Sequence, residues 1–239
     1  MTERAYELST GHKVTVPLST TATMVGGLFT ASVDAAQHLC PDGLAPVRVT
    51  AARTLVLLLG VDYHRIDDGQ LDPYEEFGIF VLAAPGEGPM ALPRALHRGI
   101  GGYTWQLPVT TEPARALGEL WGYPKSVADI TFTDDGRERQ TTLAVDGTQL
   151  LSLTVRRPWS IAGAVSAVSF TDGDETVRRE EVHADGDIGV APRGVRVDID
   201  DAHPWTDTLQ VLGVGGRGLA AVGFDGEFVI DPPAPLDGR

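Results

Sequence analysis

Apolar residues alternate with polar ones, or run together with β-branched neighbours, at Val47 to Thr50, Thr54 to Val61, Gly78 to Ala83, Tyr103 to Val109, Ala128 to Phe132 and Thr141 to Val145. The pattern resumes at Leu150 to Val155, Ala167 to Phe170, Val195 to Ile199, Thr208 to Val214 and Glu227 to Ile230. Most of these runs are bounded by Gly, Pro or Asp turn signals, which predicts a mainly β (α+β), predominantly antiparallel protein. Two stretches follow helical spacing instead, Ser32 to Leu39 and Glu112 to Leu120. In the second, Pro113 falls in the first turn and Gly122 follows the end. So many strands leave edges to protect, and a closed or nearly closed antiparallel cone or barrel with a few flanking helices removes them.

The 28 glycines and 16 prolines are spread without clustering or period, so the sequence gives no sign of a linker, solenoid or propeller. Residues 1–239 read as one domain. The acidic segment Asp172 to Asp187 reads as a solvated hairpin or loop with its carboxylates at the surface.

Composition narrows the partners. A hydrophobic content of 42% supports a sizeable core. The net charge of −14 opposes binding to nucleic acid or anionic membranes, both of which need a cationic patch. The polar amino terminus has no apolar leader, and the longest apolar run, Leu55 to Val61, is too short to span a bilayer, so a soluble cytoplasmic protein is expected. Cys40 is the only cysteine and allows no internal disulfide or thiolate cluster. Of the 19 basic residues only Lys13 and Lys125 are lysines. A lysine kept against that bias is a candidate for work arginine cannot do, since an ammonium can lose its proton and become a nucleophile.

Other chemistry finds little support. Gly213-Val-Gly-Gly-Arg-Gly218 fits a GxGxxG pattern, but the chain nearly ends where a dinucleotide fold would need a helix, a further strand and an acidic residue. The six histidines show no metal-ligand spacing, and no GxSxG elbow is present. Neither a metal nor a cofactor is expected.

The most informative segment is Glu119-Leu-Trp-Gly-Tyr-Pro-Lys125, placed after a predicted helix and before an apolar strand, where Gly122 and Pro124 make a turn that aims Lys125. It resembles the acetoacetate decarboxylase family's motif of a glutamate, two variable residues, and then Gly-aromatic-Pro-Lys, whose lysine forms a Schiff base. A second block, Tyr74-Glu75-Glu76-Phe77-Gly78, is similar to the family's Tyr-x-Glu-x-Gly block and puts Glu76 in the place of an active-site carboxylate. A weaker similarity runs from Phe29 through the predicted helix to Leu39 and Pro41, and Asp62 stands where the family carries another acid.

The resemblance implies a homo-oligomeric β-cone enzyme. Lys125 would be the nucleophile and Glu76 the proton-transfer group, with Asp62, Tyr74, Glu119, Tyr123 and Ser126 as substrate-binding residues. The substrate would be a small keto acid or ketone. Two departures bear on this. Ser126 replaces the family's second lysine, so desolvation or an arginine from elsewhere must lower the Lys125 pKa. Thr30 stands where a carboxylate-handling arginine is expected, with Arg156 or Arg157 as possible replacements. Decarboxylation of a β-keto acid and an aldolase-dehydratase reaction on a larger keto acid both remain open. So does a non-catalytic barrel that binds an apolar small molecule.

Overall fold

The longest apolar run in the sequence has no polar face: Val56 and Leu58 point one way, Leu55, Leu57 and Leu59 the other. Such a strand must be covered on both sides. In the computed structural model, which describes residues 3–173, 176–200 and 203–236, it forms the wall between a hollow barrel and a second β-layer.

In chain order the elements are β1 (Arg4–Glu7), β2 (Lys13–Val16), β3 (Leu18–Ser32), α1 (Val33–Gln37), β4 (Leu44–Arg48), β5 (Arg53–Ile66), β6 (Glu75–Pro85), β7 (Met90–Ala91), α2 (Leu92–Arg98) and β8 (Gly101–Gln106). There follow α3 (Glu112–Gly118), β9 (Asp129–Asp135), β10 (Glu138–Val145), β11 (Thr148–Arg156), β12 (Ser160–Asp172), β13 (Val177–Pro192) and β14 (Val195–Ile199). The chain closes with α4 (Pro204–Leu212), β15 (Gly216–Arg217), β16 (Ala220–Ile230) and β17 (Ala234–Pro235).

Strands β5, β3, β16, β13, β12, β8 and β6 are hydrogen-bonded in that order, and β6 pairs again with β5, closing a seven-stranded barrel. Closure leaves these long strands without the free edge of an open sheet. Every pairing around the ring is antiparallel except the short β8–β12 contact. Strands β15, β14, β11, β10 and β9 form the second sheet. Its apolar side chains Leu143, Leu151 and Leu153 join Val25, Phe29, Val56 and Leu58 of the barrel wall in the main core. A second core gathers at one end of the barrel around Leu18, Val61, Leu117 and Trp121, and there the site is built. Among the described residues no helix is long and apolar enough to cross a membrane.

The expected antiparallel barrel with flanking helices is the fold observed. Several local readings change: strands β1, β2 and β13 were not anticipated, the last running through most of the acidic segment Asp172 to Asp187. Thr208 to Val214 lies mostly in α4, not in a strand: His203 caps the helix, Pro204 opens it, Gly213 closes it in the left-handed region, and Thr206, Leu209 and Leu212 face inward at helical spacing. Helix α2 was not anticipated. Nor was β3, whose fifteen residues alternate in burial but hide it in the sequence, because Thr20 fills a buried position, Gly26 and Gly27 interrupt the pattern and the register shifts between Thr21 and Ala22.

Candidate active site

Lys125 owes its position to a short helix and a forced turn. Thr111 caps α3 by accepting from Ala114 N at 3.3 Å. Beyond the helix, Gly122 adopts φ 73°, which L side chains rarely tolerate, and Tyr123 N donates to Gly118 O at 3.0 Å. Two bonds tie this turn to the barrel: Trp121 Nε1 donates to Asp231 O and Thr171 Oγ1 to Trp121 O, each at 2.8 Å. The chain then runs beside Leu107 to Val109, with Val109 N donating to Ser126 O and Ala128 N to Val109 O, both at 2.9 Å. On its other side that segment holds β6, through Phe77 N to Pro108 O at 2.9 Å. Lys125 and Glu76, distant in sequence, are thereby brought onto one floor across the end of the barrel.

Gly118 makes room for the lysine. A Cβ there would lie 2.6 Å from Lys125 Cδ, so the aliphatic stem lies directly against the helix backbone.

The Lys125 ammonium lies 2.7 Å from Glu76 Oε2, with the two side chains 5% and 7% exposed. The contact is a close ion pair; Oε2 receives no well-directed hydrogen bond. Tyr63 donates to the other carboxylate oxygen at 3.2 Å, and Lys125 donates to Tyr74 at 3.5 Å. The Tyr63 and Tyr74 rings stack at 4.5 Å. The Tyr74 and Tyr123 rings stand 5.4 and 5.9 Å from the amine, within cation–π range. Burial keeps all three phenols protonated: Tyr74 is pushed up to about 12, and Tyr63 and Tyr123 well above the usual tyrosine range.

Burial also works against the charge on Lys125, but Glu76, seconded by Tyr74, outweighs it and holds the ammonium above the ordinary lysine range. The expected depression of this pKa is therefore not found in the resting protein. Ser126 brings no cation, and its buried hydroxyl has no hydrogen-bond partner.

The floor closes a lumen of about 500 Å³. Its walls are the inward faces of the barrel strands, carrying residues such as Met24, Leu57, Leu59, Phe80, Val182 and Phe224, with Tyr63, Tyr74, Glu76, Tyr123 and Lys125 at the closed end.

Three expected site residues lie off the lumen, and Ser126, beside Lys125, is the first of them. Asp62 alternates with the inward-facing Val61 and Tyr63, so it points out of the lumen toward Arg139, at 3.5 Å. Glu119 is exposed and pairs with Arg115 along the outside of α3 at 3.0 Å. Neither arginine candidate faces the lumen: Arg157 bonds Asp134, and Arg156 lines a surface cleft with Arg193, Arg196 and Arg217.

One inward carboxyl was not expected. Glu180, in the acidic segment read as surface, is 1% exposed and lies beside Tyr123 and across from Ser169. Burial raises it to about 7, despite the neighbouring Ser169 and Tyr123 hydroxyls and the charges of Arg178 and Arg179. Neither of its oxygens makes a hydrogen bond of good geometry. The signal was present: Val182, Ala184 and Ile188 are apolar at every second position, against His183, Asp185 and Asp187, and that alternation carries Glu180 to the inner face. On the outer side, Glu181, His183 and Asp231 bring possible ligand atoms within 4.8 Å of one another, but they are away from Lys125, and His183 already lies 3.2 Å from Asp231.

Residues 6–177 match the family model described as acetoacetate decarboxylase (ADC). The chain belongs to the acetoacetate decarboxylase family. Solved structures agree on the fold. A structure described under "Structural Studies of Acetoacetate Decarboxylase" is 18% identical over 92% of this chain and 89% of its own, with a TM-score of 0.64. The acetoacetate decarboxylase of Legionella pneumophila subsp. pneumophila str. Philadelphia 1 is 13% identical over 92% and 87%, with a TM-score of 0.65. The enduracididine biosynthesis enzyme MppR complexed with pyruvate is 14% identical over 92% and 90%, also at 0.65. No curated protein matches the sequence.

In this acetoacetate decarboxylase-like chain, Glu180 makes stability depend on pH. The folded protein keeps the Glu180 proton up to about pH 7, whereas the unfolded chain loses it above about 4.3. Stability contributed by the neutral acid is therefore present at low pH, falls as pH rises between those values, and is flat above them, a span of about 3 kcal/mol. Urea unfolding at pH 5 and pH 8 is expected to show Glu180→Gln gaining stability relative to the parent as pH rises from 5 to 8. An equal pH dependence in both proteins contradicts the assignment.

Proposed function

We propose that this acetoacetate decarboxylase-like enzyme forms a Schiff base between Lys125 and a substrate carbonyl, with Glu76 carrying the proton. The supporting observation is the 2.7 Å pair of nearly unexposed charges at the floor of an apolar lumen. An ammonium is no nucleophile, so the pair must first pass its proton from nitrogen to carboxylate. Burial favours that transfer because it penalises both charges together, and an apolar substrate that excludes water adds to the penalty.

The neutral amine then attacks the carbonyl carbon and forms a carbinolamine. Glu76, now protonated, donates to the departing hydroxyl, and water leaves. A protonated imine remains, facing the restored carboxylate. The imine draws electrons from the bond next to it, so either loss of carbon dioxide from a β-keto acid or carbon–carbon cleavage and condensation can follow. Tyr74 and Tyr123 flank the cationic imine with ring faces that favour positive charge.

Borohydride reduction with acetoacetate, pyruvate and a panel of ketones and aldehydes, read by intact mass, is expected to leave a stable adduct that is absent in Lys125→Ala. No adduct with any carbonyl would return the chain to the reading of a binding barrel. Carbon dioxide release measured beside product mass separates decarboxylation from condensation.

Glu76→Gln is expected to lower adduct formation about a hundred- to ten-thousand-fold, the usual range for a lost acid–base group. It also leaves burial of Lys125 unopposed, so the pH at which the amine loses its proton, read from the pH dependence of its acylation, falls below that of the parent. An unchanged acylation profile shows that Glu76 does not hold the lysine proton.

Gly118→Ala separates folding from chemistry. Alanine is the better helix former by about 1 kcal/mol, so thermal stability is retained, but its Cβ displaces the lysine stem and adduct formation drops at least about tenfold for a misplacement near 1 Å. An unchanged rate shows that the stem position is not critical.

A further inference from the structure

The lumen is far larger than a three- or four-carbon keto acid requires, and among the described residues Lys125 is the one cation lining it. Glu76 already balances that charge. A substrate carboxylate brought to the floor would therefore meet no free positive group, and an unpaired buried charge is strongly disfavoured.

The walls indicate what is favoured instead. Registers on the two sides of β5 match Met24 with Val61 and Leu28 with Leu57, and then Val61 with Glu76 and Leu57 with Phe80. An unbroken apolar file thus begins level with the catalytic carboxylate and continues through Leu59 and Leu57 to Leu55. Six residues of strand rise about 20 Å, and with the tilt usual for barrels the file is about 15 Å deep. Val182, Ala184 and Ile188 line β13 in the same sense.

We propose that the substrate is a carbonyl compound with an extended apolar chain, its carbonyl at Lys125 and its chain laid along this file. The inference rests on the Schiff-base reading for its chemistry, but the file can be tested without it. Each buried methylene is worth about 0.8 kcal/mol, or roughly fourfold in binding.

The test uses straight-chain methyl ketones from acetone to 2-undecanone, together with the 3-oxo acids of matching tail length and with pyruvate. Borohydride adduct formation is measured in the parent. Equilibrium binding is measured by calorimetry in Lys125→Ala, where no imine can form. Both readouts are expected to improve about fourfold per methylene until the lumen is filled, and each oxo acid is expected to bind more weakly than the ketone of matching tail length. Leu57→Trp, which blocks the file midway, is expected to abolish the gain for long chains and spare short ones.

The failures are distinguishable. Binding that grows with tail length in Lys125→Ala, without any adduct in the parent, overturns the Schiff-base reading and leaves the apolar-chain inference standing. Adducts that form as well with pyruvate or acetoacetate as with long ketones overturn the inference and leave the Schiff base. Flat binding along the series in Lys125→Ala also overturns it.

Discussion

The site depends on one ion pair almost withdrawn from water. Lys125 and Glu76 come from different parts of the chain, each is nearly inaccessible, and their charged atoms are 2.7 Å apart. Either residue alone in that place would be a buried, uncompensated charge, costly enough to drive its neutralisation. Together they are tolerable, and much of the surrounding architecture keeps them together. The turn at Gly122, the bonds from Trp121 and Thr171, and the Leu107 to Val109 segment fix the lysine. Strand β6 and Tyr63 fix the carboxylate.

Under the proposed Schiff-base chemistry the pair also reconciles two demands that pull against each other. A resting ammonium is stable here because the carboxylate holds it, yet imine chemistry needs a free amine. The same short distance that raises the lysine pKa supplies the nearest base for its proton, and the proton never has to leave the cavity. A second cation in the place of Ser126 would lower the pKa by repulsion. Under the proposed Schiff-base chemistry this chain would rely instead on internal transfer, made easier by walls that solvate neither ion.

Much of this was legible in the sequence, unevenly and for physical reasons. Lys125 stood out as one of two lysines and through its Gly-Tyr-Pro turn, and Glu76 through its block with Tyr74. The runs at β5, β6, β11 and β14 were clear because both of their faces, or one strictly alternating face, are apolar. Strand β3 was hidden because a buried Thr20 and the Gly26-Gly27 pair break up the apolar pattern that its burial follows. Helix α4 was read as a strand because Leu209, Val211 and Leu212 make an apolar run too short to show its period, although Pro204 and Gly213 marked its ends. Asp62 was misplaced by a matter of parity: one step along β5 carries a side chain from the lumen to the outer face. Glu180 was obscured by the acids around it, of which Asp172, Asp185 and Asp187 are exposed while Glu180 turns in.

Charge balance links the chemistry to the shape of the cavity. One lysine and one glutamate cancel at the floor, and among the described residues the lumen lining adds no arginine that would pair with a substrate anion. A second negative charge brought there would compete with Glu76 for the same ammonium and would leave one carboxylate unpaired in apolar surroundings. A neutral carbonyl with an apolar chain incurs no such cost, and the surface it buries against the β5 file contributes favourably along its whole length. The apolar run of β5 that stood out in the sequence is thus the same feature that favours an uncharged guest.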